Sequence, residues 1–274
     1  MNISRKEKII HHVILVILAV LFILPLMWMI LASVDTSPIQ TLRIPEEVTL
    51  GNYASILQNP QILRSFGIGI IISGGQSIIV VVISVIAAYP LSRYRASYKK
   101  SFLYSILFLT SLPMTAVIVP VFQMFLMLRF QDNIWAVMFF LIGTSLPYAI
   151  WMMKNFMDSV PKELEESAWV DGASVGTGLR KVVAPLMVPG MFTVLIFTYT
   201  GSWGNFFVPF ILLSSQSNMP ASVTIFQFFG NYGLIDYGRL AAFSVLYTTP
   251  VVILYYIAQQ YMSAGFSFGG ATKG

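Results

Sequence analysis

The sequence predicts an all-α, polytopic membrane protein with six transmembrane helices and one cytoplasmic loop folded as a helical hairpin. Three observations carry that expectation. The 274-residue chain is 57% hydrophobic and 10% charged, far from the roughly 25% charge of soluble domains, and it holds more apolar residues than its own interior can hide. Six stretches are long and apolar enough to cross a bilayer, which takes about 20 helical residues. All 16 Lys and Arg and all 11 Asp and Glu fall outside those stretches. Membrane lipid is therefore the first partner the chain requires. The absence of cysteine excludes disulfides, thiol nucleophiles and sulfur-ligated metals.

Span 1, at about 13–33, follows Arg5, Lys6 and Lys8. Its apolar run is longer than the roughly 7–15 residues of a signal peptide, so it is expected to be retained. Span 2, at 66–90, carries Gly69, Ser73, Ser77, Ser84 and Ala88 at spacings of four or seven, a stripe of small groups that lets another helix approach. Spans 3 and 4 are expected at 102–127 and 134–153. Span 5, at 187–213, is interrupted by Gly201 and Gly204 within a polar stretch from Thr198 to Asn205. Polar groups at that depth face protein or a water-filled path, which makes Tyr199, Trp203 and Asn205 candidates for lining a pathway. Hydroxyls bonded back to their own helix are the equally weighted alternative. Span 6 lies at 240–262.

Between spans 4 and 5 the segment 154–186 is too long for a simple connector. Ser159-Val160-Pro161 supplies a hydroxyl cap and a first-turn proline, Lys162 to Asp171 reads as helix, and Gly172 stops it. Ser174 caps a second helix that Pro185 is expected to end. With the N-terminus inside, twelve basic residues are cytoplasmic and only Arg43, Arg64, Arg129 and Arg239 lie outside, as the positive-inside rule demands. The net charge of +5 is thus topological, and nucleic acid is not an expected partner. Both termini are expected in the cytoplasm.

Glu166-Ser167-Ala168, three residues, Gly172, nine residues, then Val182-Val183-Ala184-Pro185 resembles the EAA loop of ATP-binding-cassette (ABC) importer permeases. That pattern reads Glu-Ala-Ala, three residues, Gly, nine residues, Ile-x-Leu-Pro; Ser167, Val182 and Ala184 are small departures. Pro45 to Tyr53 is similar to the Pro…Thr-x-x-Asn-Tyr segment of the carbohydrate-uptake permeases of maltose type. Trp203-Gly204-Asn205-Phe206-Phe207-Val208-Pro209 resembles their Trp-Asn-x-Phe…Pro stretch, with Gly204 inserted. The end, from Gly265 to Gly274, is similar to their glycine-rich tail.

The resemblance implies a single permease domain over 1–274 with the type I importer permease fold, in a bacterial or archaeal plasma (inner) membrane. It implies a heterodimer with a second permease, two ATPase subunits and an extracytoplasmic solute-binding protein. Glu166, Ser167, Ala168, Asp171, Gly172 and Pro185 would form the ATPase-coupling surface, Gly269, Gly270 and Lys273 an ATPase-contacting tail, and the external loop from about Ser214 to Gly238 would meet the binding protein. The solute implied is a carbohydrate, with a non-sugar solute as the alternative. No phosphate-binding Gly-x-x-x-x-Gly-Lys-Ser/Thr loop is present, so ATP and magnesium are expected on the ATPase, and no cofactor, metal or catalytic residue is expected here. An ion-driven transporter would place ionisable groups inside spans, and a membrane enzyme would need more than the adjacent His11 and His12.

Overall fold

A computed structural model describes residues 5–95, 97–230 and 235–270. Among these residues the only β pairings are isolated bridges, Asp35 with Val48 and Phe229 with Ile235. The helices are α1 (Arg5–Ser33), α2 (Gly51–Leu57), α3 (Pro60–Arg93), α4 (Lys99–Thr110), α5 (Met114–Met127), α6 (Ile134–Asp158) and α7 (Lys162–Val170). After α8 (Val175–Gly178) comes a π-helical turn, Leu179–Val183, then α9 (Ala184–Leu186), α10 (Val188–Trp203), α11 (Phe207–Leu212), α12 (Ala221–Thr224) and α13 (Tyr237–Gly270).

Spans 1, 2, 4 and 6 are single helices, with membrane-length apolar stretches at Glu7–Ser33, Pro60–Arg93, Ile134–Asp158 and Tyr237–Met262. Span 3 is not the unbroken helix expected over 102–127: α4 and α5 meet at 89°. Pro113 precedes α5 in an extended conformation (φ −68°, ψ 130°), and its ring disfavours helical geometry at Leu112. Span 5 is also broken. α10 stops at Trp203, Gly204 to Phe206 intervene, and α11 resumes at Phe207, while the α8 to α9 segment enters α10 through a 73° bend.

By packing, the chain divides into two compact units, Met1–Leu63 with Thr224–Thr249 and Arg64–Val223 with Pro250–Gly274. In the first, the apolar window of α1 is not buried by the chain at all, so lipid or another apolar protein surface must cover it. Its end is tied down by the segment that follows. Asn52 Nδ2 donates to the carbonyls of Ser33 and Asp35 at 3.1 and 3.0 Å, and Tyr53 donates its hydroxyl to Ser33 Oγ at 2.8 Å. Asn52 and Tyr53 thereby fasten a chain reversal, with Gly238 packed against Asn52 where a Cβ would lie 2.8 Å from its amide.

In the second unit the core joins α3, α6 and α10 through Ile72, Val80, Val137, Met138, Leu141 and Val194, with Met153 and Met157 fully buried near the end of α6. The small stripe of α3 faces inward: Ser73, Ser77, Ser84 and Ala88 are buried. A Cβ on Gly69 would stand 3.0 Å from the Trp203 ring, and one on Gly75 would stand 2.7 Å from Met138 Sδ. The stripe is a close-packing surface, with the Ser77 and Ser84 hydroxyls donating to carbonyls three residues back.

Candidate functional site

The loop after α6 is a helical hairpin, built by local signals with two differences from expectation. Ser159 does not cap α7, because its Oγ donates to the Phe156 carbonyl at 2.6 Å and closes α6 instead; Pro161 precedes α7 without a side-chain cap. Pro185 does not end the second helix, whose path runs on through Leu186. The π-helical turn before it has already shifted the hydrogen-bond register, so the missing proline N–H is tolerated, and the path bends at Met187.

Gly172 does stop the first helix, at φ +85°. Its N–H reaches the Trp169 carbonyl at 3.0 Å, and the Ala173 N–H reaches the Ala168 carbonyl at 2.9 Å. This is a Schellman closure, which needs a left-handed residue at that point. Ser174 Oγ accepts from the Thr177 N–H at 3.3 Å and caps the second helix as expected.

The hairpin is anchored by a residue the sequence reading passed over. Glu165 is 1% exposed, and its Oε2 lies 2.9 Å from Nε of Arg93, itself 3% exposed. Tyr89 donates its hydroxyl to the other carboxylate oxygen, and Arg93 also donates to the Val160 and Met157 carbonyls at 3.2 and 3.4 Å. Ser92 donates to Asp158 at 2.6 Å, and Lys154 pairs with the same carboxylate. A buried ion pair persists only when its remaining hydrogen-bonding groups are satisfied, as they are here. In the sequence, Arg93 reads only as topological charge. The available signal was that Glu165 shares a helix face with Ala168 and Trp169, three and four residues on.

Glu166, Ser167 and Asp171 are exposed and Ala168 is half-buried. Ser167 Oγ is occupied by the Glu163 carbonyl at 2.8 Å. Leu164, Trp169, Val170 and Val175 are exposed apolar residues of the hairpin, at 46, 38, 88 and 46%. Gly269 and Gly270 end the α13 backbone, and Lys273 lies outside the described residues.

Of the three pathway candidates, Asn205 lines a cavity. That cavity, of about 250 Å³, is also lined by Gln76, Thr144, Ser145, Tyr148, Phe197, Thr198 and Ser202. Tyr199 and Trp203 are buried at 8 and 4% exposure, stacked on each other at 5.9 Å, with Trp203 against Phe66 and Gly69. Both pack within the chain, and Trp203 does so against α3.

Outside the spans, Asp132 organises the start of the loop from Ser214. Its carboxylate accepts from the Ser214 and Ser215 N–H groups, both at 3.0 Å, from Ser215 Oγ, and from Asn218 Nδ2 at 3.1 Å. Burial alone would push its pKa up; the hydrogen bonds from Ser215, Ser214 and Asn218 outweigh that and hold it below the usual carboxylate value. Further along, Ser55, Asn59, Gln227, Phe228, Asp236 and Arg239 line a cavity of about 320 Å³; Asn231 and Tyr232 of that loop fall outside the described residues. No group of three or more metal-ligating side chains occurs among the described residues.

Residues 80–267 match the family of binding-protein-dependent transport system inner membrane components. The chain is 29% identical to the trehalose transport system permease protein SugB of Mycobacterium tuberculosis over 261 residues, 92% of this chain and 93% of that one. It is 26% identical to the trehalose/maltose transport system permease protein MalG of Thermococcus litoralis over 282 residues, 98% and 99% of the two chains. Among solved structures, a chain of a bacterial ABC transporter involved in the import of the acidic polysaccharide alginate superposes with a TM-score of 0.81 at 22% identity. That match covers 95% of this chain and 99% of the other.

Proposed function

The chain belongs to the family of binding-protein-dependent transport system inner membrane components, and from that premise we propose that it forms half of the path by which an ATP-driven importer carries a carbohydrate. It is a multi-pass membrane transport component and not an enzyme. The carbohydrate reading draws on relatives named for trehalose, maltose, galacto-oligosaccharides and maltodextrin. A second permease completes the path, two ATPase subunits bind ATP and magnesium, and an extracytoplasmic binding protein delivers the solute; a periplasmic binding protein accompanies one structural relative. The orientation follows the basic residues, with both termini and the α7 hairpin in the cytoplasm.

The observation that carries this reading is the hairpin itself. α7 is too short and too charged to enter lipid, it is fixed to α3 by the Arg93–Glu165 pair, and it presents Leu164, Trp169 and Val170 outward. An apolar rim on a short helix suits a groove on a soluble partner. Because α7 is tied to a membrane-length helix, movement of that partner is transmitted to α3. Glu166 and Gly172 act in docking, the first as an exposed charge and the second by setting the turn; the tail through Gly269, Gly270 and Lys273 reaches the same partner. The test is purification of the tagged chain in mild detergent, followed by reconstitution with its partners. An ATPase and a second permease should copurify, and sugar uptake should require ATP. Uptake by this chain alone, driven by an ion gradient, would refute the reading.

A further inference from the structure

Where α3 gives way to α4, the chain gathers cations that it does not neutralise. A cavity of about 400 Å³ is lined by Arg93, Arg95, Lys99 and Lys100, from the end of α3 through the start of α4, and by Lys162, the first residue of α7; no acidic side chain lines it. Arg93 is already committed, to Glu165 and to the Val160 and Met157 carbonyls. Arg95, Lys99, Lys100 and Lys162 make no ion pair among the described residues. Topology accounts for positive charge on this side, but it does not require four free cations in one wall, where they repel one another. Lys99 and Lys100 also stand in the first turn of α4, which has no acid and no side-chain cap, at the helix end where the dipole disfavours cations. A bound anion relieves both costs.

The place of the cavity in the fold says which kind of anion. α3 is a membrane-length helix ending at Arg93, and α4 opens the next apolar segment at Lys99, so the short turn between them lies at the bilayer edge. Tyr94 and Tyr98 are exposed in that turn, and Phe102 and Phe108 are exposed further along α4. Tyrosines at such a position sit at the level of lipid headgroups, and anionic lipids of the cytoplasmic leaflet are drawn to clustered Lys and Arg. A soluble anion would be served by the cations alone. A phospholipid uses both halves of the surface, with its phosphate in the cavity and its acyl chains along α4.

We propose that Arg95, Lys99, Lys100 and Lys162 hold the phosphate of an anionic phospholipid, from the cytoplasmic leaflet in the orientation given above. Because Lys162 begins α7, the bound headgroup ties the start of the hairpin to the turn between α3 and α4, as a second fastening beside the Arg93–Glu165 pair. The site requires no particular solute.

The test uses the assembled transporter in phosphatidylcholine vesicles that contain a small share of phosphatidylglycerol with a photoreactive headgroup, and labelled peptides are identified by mass. Copurified ATPase restricts the count to assembled complexes. In the wild type the label should fall within residues 93–104 or at the start of α7. Lys99→Gln with Lys100→Gln should lower it about tenfold, and Lys99→Arg with Lys100→Arg, which keeps the charge, should retain it. Lys6→Gln with Lys8→Gln, which removes the same charge elsewhere, should leave it unchanged. Equal labelling of the glutamine pair and the wild type, or an equal loss in the Lys6 and Lys8 variant, means diffuse attraction to the leaflet and overturns the site. Displacement of the label by inorganic phosphate at constant ionic strength assigns the cavity to a soluble anion, and a photo-crosslinking amino acid at Ser97 that captures the ATPase in place of lipid assigns it to a protein; either result overturns the lipid. ATP-driven sugar uptake is measured in the same vesicles, so a failure of the transport reading registers separately.

Discussion

Glu165 and Glu166 are neighbours with opposite fates. Glu166 meets solvent, whereas Glu165 sits 1% exposed against Arg93. Sequence pattern favours Glu166 because it belongs to the recognisable loop, and nothing in a single chain names the partner of Glu165, which lies 72 residues away. Replacing Glu165 by Ala strands a buried guanidinium, which is expected to lower stability by about 3–5 kcal/mol; thermal unfolding in detergent reads the loss. Glu166→Ala should change stability by no more than about 0.5 kcal/mol, and Arg93→Met combined with Glu165→Leu should recover most of the single-variant loss. Asp132 gives a pH dependence of defined sign. Its folded pKa is depressed below 3.8, so its stabilisation of the Ser214–Asn218 turn is complete above that value and is lost as pH falls through the lower folded value. Hydrogen exchange at Ser214 and Ser215 should therefore rise in strong acid in the wild type, relative to a control amide in α6. In Asp132→Asn it should already be raised at neutral pH.

Among the elements, the hairpin was the most legible because its signals are local. Gly172 ends α7 at φ +85°, with open space around the position of a Cβ, so substitution there is penalised by backbone geometry rather than by collision. Asn tolerates the left-handed region better than other residues, and a β-branched side chain tolerates it worst. Gly172→Asn should retain most binding-protein-stimulated ATPase activity and sugar uptake. Gly172→Val should lose both by about tenfold or more, since it redirects the chain between the two helices of the proposed docking hairpin; an ATPase and uptake assay on membranes with equal amounts of the chain checks the order. The illegible parts were the breaks. Pro113 lies inside an apolar run that hydropathy reads as continuous, and Pro185 looks like a stop until the π-helical turn before it is known. Proline position alone does not tell a bend from an end.

At the scale of the molecule, the six apolar stretches and the exclusion of charge from them were readable because lipid imposes them on composition. The basic asymmetry likewise set the expected orientation. Which face of each helix meets protein was not readable: Tyr199 and Trp203 look like pathway residues by chemistry, yet they fill the core, while Gln76 was not singled out and lines the cavity. Burial of α6 and α3 by the chain contrasts with the uncovered window of α1, a surface left for lipid or another apolar protein surface. The central claim is that ATP-driven movement enters this chain through α7. A photo-crosslinking amino acid at Leu164, 46% exposed on that helix, tests it most directly in the assembled transporter. The account predicts a crosslink to the ATPase subunit that strengthens or weakens with nucleotide; crosslinks to lipid alone, or none to the ATPase in any nucleotide state, would contradict it.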